Sequence, residues 1–108
     1  MNFVEVAKTT DIPNGKMKSF TVEDKVVLII QYEGKYFAVN GRCSHAGGEL
    51  SKGKLEGKIV TCPRHGSKFD VTTGSCISGP KIGPIKLKAK DVATYEAKVE
   101  NNTIKVNL

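Results

Sequence analysis

An antiparallel all-β domain is what this chain predicts, on three observations. No useful window carries helical periodicity, short runs of alternating apolar and polar residues recur, and Gly, Asn and Pro punctuate those runs. Phe3, Val4 and Val6 open the first strand, and Asp11-Ile12-Pro13-Asn14-Gly15 reads as a turn. A second strand covers Met17 to Val22. The strongest hairpin pairs Val26–Tyr32 with Lys35–Val39 across Glu33-Gly34, because a glycine there can take the positive φ that a two-residue turn needs. Lys54-Leu55 and Lys58-Ile59-Val60 surround Glu56-Gly57 as a further hairpin. Towards the C-terminus Tyr95, Ala97 and Val99 alternate with Thr94, Glu96 and Lys98. After Asn101-Asn102 the residues Ile104, Val106 and Leu108 alternate again, so these two strands should pair and close a core.

At 108 residues the chain is long enough for one modest core and too short for two, which predicts a single domain over residues 1–108. Apolar residues make up 39% and charged residues 26%, the balance of an ordinary globule. The longest apolar run, Val26 to Ile30, is five residues, against about 20 for a bilayer-spanning helix. Residues Met1 to Ile12 mix Glu5, Lys8 and Asp11 with scattered apolar residues, without a signal-peptide core. A soluble, cytoplasmic protein with no membrane partner is therefore expected. The net charge of +6 favours acidic partners. It does not favour nucleic acid, because the 15 lysines are dispersed and neither a stacking aromatic motif nor a recognition helix accompanies them.

Residues 41–84 hold most of the glycines, three of the four prolines and all the Cys and His, so a ligand-rich insert on a β scaffold is implied. Three cysteines in such a chain point to metal or redox use of thiols rather than to a disulfide framework. Two of them stand beside the only two histidines. The pattern is Cys43-Ser44-His45, then sixteen residues, then Cys62-Pro63-Arg64-His65, so each loop offers one thiolate and one imidazole. Four such ligands suit a tetrahedral metal, and a structural zinc site with a binding role is one reading. Zinc sites commonly pair Cys with Cys and His with His, however, whereas a C-x-H loop followed by a C-x-x-H loop is unusual for zinc.

Cys43-Ser44-His45-Ala46-Gly47-Gly48 and Cys62-Pro63-Arg64-His65-Gly66-Ser67-Lys68-Phe69-Asp70 resemble the two cluster-binding boxes of Rieske ferredoxins, with a Thr73-Gly74 turn and Gly79-Pro80 following. The resemblance is close over residues 41–84. It implies an antiparallel β sandwich or barrel whose two-loop insert holds one 2Fe-2S cluster, with Cys43 and Cys62 on the inner iron and His45 and His65 on the outer one. Neutral imidazoles add no charge where thiolates would, which makes reduction easier than in all-cysteine clusters: about −150 to +300 mV against about −400 mV for plant-type ferredoxins. Around the ligands, Gly47, Gly48 and Gly66 would let backbone amides approach the sulfides. Ser67 falls where high-potential members donate a hydroxyl to a bridging sulfide, and Pro80 resembles the turn that covers the cluster.

Three positions depart from the high-potential pattern. Gly48 and Arg64 stand where that class carries a cysteine pair bridging the loops, and Phe69 stands where it has a hydroxyl-donating tyrosine. An intermediate to low potential within the family is expected. Cys76 has no counterpart among the ligands and reads as a small buried apolar residue. Arg64, between two ligands, either guides an acidic partner or is solvated. No nucleophile–base pair or phosphate-cradling loop is present, so the expected function is one-electron transfer and not catalysis. Its partners would be a reductase and an oxygenase or other acceptor with acidic docking surfaces facing Lys52, Lys54, Lys68, Lys81 and Arg64. A detached subunit of a multi-subunit oxidoreductase is the other electron-transfer reading. Such subunits usually carry an anchor or export signal and the loop disulfide, neither of which is seen here.

Overall fold

The computed structural model describes residues 3–43, 48–64, 66–79, 81–82, 85–86 and 90–108. A six-stranded antiparallel sheet forms the scaffold, in the spatial order β1 (Phe3–Lys8), β12 (Thr103–Asn107), β11 (Thr94–Glu100), β4 (Lys35–Asn40), β3 (Lys25–Tyr32) and β2 (Met17–Val22). A four-stranded antiparallel sheet carries the insert: β5 (Lys54–Glu56), β6 (Ile59–Thr61), β7 (Lys68–Asp70) and β8 (Cys76–Ser78). The short strands β9 (Lys81–Ile82) and β10 (Ile85–Lys86) pair with each other. The expected antiparallel all-β class holds, as does each expected strand pairing.

The run Val26 to Ile30 does not alternate in polarity because β3 is covered on both faces. Val27 and Ile29 join Ile12, Ala38, Ile104 and Val106 in one core, inside the curl of the large sheet. Leu28 and Ile30 point the other way, with Val39, into a second core completed by Leu50, Val60, Phe69, Val71, Val92, Cys43 and Cys62. Leu28, Ile30, Val39, Leu50, Val60 and Phe69 are fully buried, and each such side chain contributes about 1.5–3 kcal/mol on burial. The second core bolts the insert onto the scaffold.

Local differences from the sequence expectations have local causes. Thr9–Asp11 forms a 3-10 turn ahead of the expected bend. The β5–β6 register pairs Glu56 with Ile59, so the connection is Gly57-Lys58, one residue later than expected, which puts Gly57 (φ 60°) where a type II′ turn wants glycine. Glu23 and Asp24, at φ 50° and 68°, make a tight β2–β3 turn without Gly or Asn, so no composition cue marked it. Val99, expected inward, is 46% exposed, because alternation lapses at the end of β11.

Candidate metal centre

Both ligand boxes are tips of β hairpins built on the same plan. In the first, the Leu50 amide donates to the Gly41 carbonyl (2.9 Å), Arg42 bridges Glu49, and the Cys43 amide donates to the Gly48 carbonyl (2.8 Å). In the second, Thr61 pairs with Lys68 and the Cys62 amide donates to the Ser67 carbonyl (2.7 Å). Each tip thus begins with a cysteine whose N–H closes on the carbonyl five residues on. His45, His65, Gly47 and Pro80 lie outside the described residues.

Cys43 and Cys62 are outside any disulfide, 4% and 3% exposed, and embedded in the second core. A Cβ added to Gly48 would stand 3.2 Å from the Cys62 sulfur and 3.1 Å from Arg64 Cγ, so the first loop's backbone lies directly against the second loop's thiol. Across a disulfide, a Cβ lies about 3 Å from the far sulfur. Positions 48 and 64 therefore face each other as a cysteine pair would, and the methylenes of Arg64 take the place of the bridge.

Ser67 is 1% exposed, and among the described residues its hydroxyl has no hydrogen-bond partner. An orphaned buried hydroxyl costs about 1–3 kcal/mol, so a group placed between the loops that accepts from it removes that cost. Two buried thiols, glycine backbone against one of them and an unspent hydroxyl suit a sulfide-containing cluster. Gly66 has a more local role than expected. At φ 76° it makes the turn, and its amide donates to the Cys62 carbonyl at 3.2 Å. Phe69 is fully buried in the second core, where its ring serves packing. Cys76, expected buried, is half-buried: it pairs with Phe69 from β8, packs against the same core, and its amide donates to Asp91 Oδ1 at 2.8 Å.

A polar lock below the second loop escaped the sequence reading. Asp70 Oδ1 accepts from the Thr72 amide (2.8 Å) and hydroxyl (2.6 Å), while Lys58 Nζ lies 3.3 Å from Oδ2. Burial alone pushes the Asp70 carboxyl up; the Thr72 hydroxyl and amide and the Lys58 ammonium together outweigh it and hold the pKa below the ordinary value. The Asp70-Val71-Thr72 spacing, typical of a side chain capping a turn, was the available signal. Of the basic residues expected at this end, Lys52, Lys54, Lys68 and Arg64 are exposed, with Lys52 3.6 Å from Glu49 and Lys54 3.9 Å from Glu56.

The model of the Rieske [2Fe-2S] domain matches residues 2–96. The ferredoxin component of the naphthalene 1,2-dioxygenase/salicylate 5-hydroxylase systems of Ralstonia sp is 32% identical, over 99% of this chain and 96% of the relative. The naphthalene 1,2-dioxygenase ferredoxin component of Pseudomonas putida is also 32% identical, over 100% and 97%. Among solved structures, the ferredoxin of carbazole 1,9a-dioxygenase from Nocardioides aromaticivorans IC177 superposes with a TM-score of 0.79 at 27% identity, over 98% of this chain and 97% of that one. These matches set aside the zinc reading, and their near-complete mutual coverage favours a free carrier over a detached subunit. The chain belongs to the Rieske [2Fe-2S] domain family, as an electron carrier with one 2Fe-2S cluster.

Proposed function

We propose that this protein is the ferredoxin component of an oxygenase system, taking one electron at a time from a reductase and passing it to a terminal oxygenase. The observation that carries the reading is the match to such components over nearly the whole of both chains, in a chain whose two motif cysteines are buried in one core at paired hairpin tips. Cys43, His45, Cys62 and His65 are the ligands in this reading. The cluster, when bound, stores and releases a single electron. The protein's part is to exclude water from the thiol side through the second core, to spend the Ser67 hydroxyl on the cluster's sulfur, and to present the tips to a partner.

The whole chain acts as one domain, with residues 41–84 as its cluster-binding insert, and it works in the cytoplasm. No described helix is long and apolar enough to cross a membrane, in keeping with that placement. In this reading Gly47, Gly48 and Pro80 belong to the cluster's surroundings, and keeping the Ser67 hydroxyl while a phenyl ring stands at Phe69 sets the potential low to intermediate within the family. Lys52, Lys54, Lys68, Lys81 and Arg64 favour a partner with an acidic docking patch, since complementary charge raises encounter rates.

Iron and acid-labile sulfide analysis tests the centre. Two of each per chain are expected, lost in both Cys43→Ser and Cys62→Ser, and stoichiometric zinc without iron would overturn the assignment. The partner assignment is tested by mixing the reduced protein with a Rieske-type terminal oxygenase. Reoxidation coupled to substrate hydroxylation is expected, and failure to reduce any such oxygenase tried alongside a related ferredoxin that succeeds would count against it.

A further inference from the structure

The contact between Gly48 and Arg64 does more than fill a gap. Arg64 is exposed as a residue, yet its Cγ and Cδ lie 3.1 and 3.2 Å from where a Gly48 side chain would begin, and the Cys62 sulfur lies 3.2 Å from the same point. Three groups therefore converge on one small volume: the first loop's backbone, the second loop's thiol and the arginine methylenes. Long basic side chains commonly lay their stems on apolar surface while the charged head stays in water. Among the described residues no ion pair holds the Arg64 guanidinium, so packing, not charge, is what places the stem.

We propose that Arg64 is a positioning residue whose aliphatic stem ties the two ligand loops together and shields the Cys62 sulfur from water, with its positive charge dispensable for that task. The proposal rests on Cys62 holding the cluster. It explains the pairing of residue types: a glycine at 48 leaves the stem and the sulfur undisplaced, and the methylenes at 64 reach the facing loop. Gly48 has no positive φ that would demand glycine for backbone reasons, which leaves the stem and the sulfur as the groups a side chain would meet.

The test uses the purified holoprotein and follows bleaching of its visible absorption by an iron chelator, with visible circular dichroism as a second readout. Removing two packed methylenes should speed cluster loss about tenfold in Arg64→Ala. Arg64→Met keeps the stem and removes the charge, so its loss rate and dichroism should match the parent's within about twofold. A general loss of folding would not be rescued by methionine, and thermal unfolding followed in the far ultraviolet checks for it. Gly48→Ala should also destabilise the cluster, and the Gly48→Ala/Arg64→Ala pair should be less labile than the two single effects multiplied, because the methyl then fills space the stem vacates. Arg64→Ala as resistant as the parent, Arg64→Met as labile as Arg64→Ala, or strictly multiplicative effects at 48 and 64 would each overturn the proposal. A parent protein with no 2Fe-2S spectrum would instead defeat the ligand assignment beneath it.

Discussion

Asp70 should be worth more to this protein than its position on a short strand suggests. Its carboxylate is 10% exposed, accepts two hydrogen bonds from Thr72 and sits 3.3 Å from Lys58 Nζ. It also adjoins Phe69 in the second core, in the hairpin that ends in the second ligand loop. Asp70→Ala strands the Thr72 amide and hydroxyl, a loss of about 2–3 kcal/mol for bonds to a charged acceptor. The Lys58 pair adds less, at most about 1 kcal/mol, because Lys58 is 48% exposed and water screens it. For a domain of this size each kcal/mol moves the melting midpoint by about 4–8 °C, so Asp70→Ala should lower it by roughly 10–20 °C. Asp70→Asn keeps an acceptor for Thr72 but sets an amide against Lys58, and should lose only about a third as much.

The pH dependence follows from the same contacts. A carboxyl whose folded pKa is depressed stabilises the fold above its unfolded pKa of about 3.9, and loses that contribution as pH falls through the lower folded value. The gap in midpoint between the parent and Asp70→Ala should therefore be constant from pH 7 to 5 and close below about pH 4. The assay is far-ultraviolet circular dichroism at a fixed scan rate, since unfolding of a cluster protein is irreversible. If Asp70→Ala melts with the parent, or the gap widens on acidification, the lock does not exist as drawn.

Two glycines of positive φ should respond unequally to alanine. Gly66→Ala meets no atom of the described residues within 4 Å and should lose only the left-handed backbone preference, about 1–2 kcal/mol, whereas at Gly74 (φ 80°) the new Cβ would collide with the Val92 carbonyl, so Gly74→Ala should lose distinctly more; equal melting midpoints would refute the steric argument. Ser67→Ala should lower the reduction potential measured by voltammetry, because the orphaned hydroxyl no longer reaches the cluster's sulfur, and an unchanged potential would show that it points elsewhere. The rate of electron delivery to an oxygenase should fall steadily as salt is raised, and fall further in Lys68→Glu; indifference to both would mean that the basic tip plays no part in docking.

What could be read from the sequence follows from the range of the interactions involved. Hairpins signalled by local chemistry, such as Glu33-Gly34 and Asn101-Asn102, emerged where expected because turn conformation is decided by the turn residues themselves. The pairing of β1 with β12 joins Val4 to Val106, a contact between chain ends that no local pattern specifies. Glu23-Asp24 adopts its left-handed turn against its own preference, because six rungs of β2–β3 pairing and the burial of β3 on both faces outweigh a penalty of about 1–2 kcal/mol per residue. The expected inward Val99 failed for the converse reason: beyond Tyr95 the strand loses its β4 neighbour, and alternation without a second layer buries nothing.

The centre shows the same division. Ligand types and spacing are chemical requirements and stand in the sequence as motifs, so Cys43 and Cys62 could be proposed as ligands before any fold was known. What surrounds them is set by how two hairpin tips meet. That the Gly48 backbone would touch the Cys62 sulfur, and that Arg64 lies where a bridging sulfur could, depends on the register of two separate ladders, each closed by a cysteine amide. A one-residue slip in either ladder would turn its ligand to the opposite face. The second core prevents that slip: Val60 and Phe69 face each other across β6–β7 and are both fully buried, so the register that hides them is the register that aims Cys62 inward. Packing of residues with no redox chemistry of their own thereby decides where the electron-carrying centre is built.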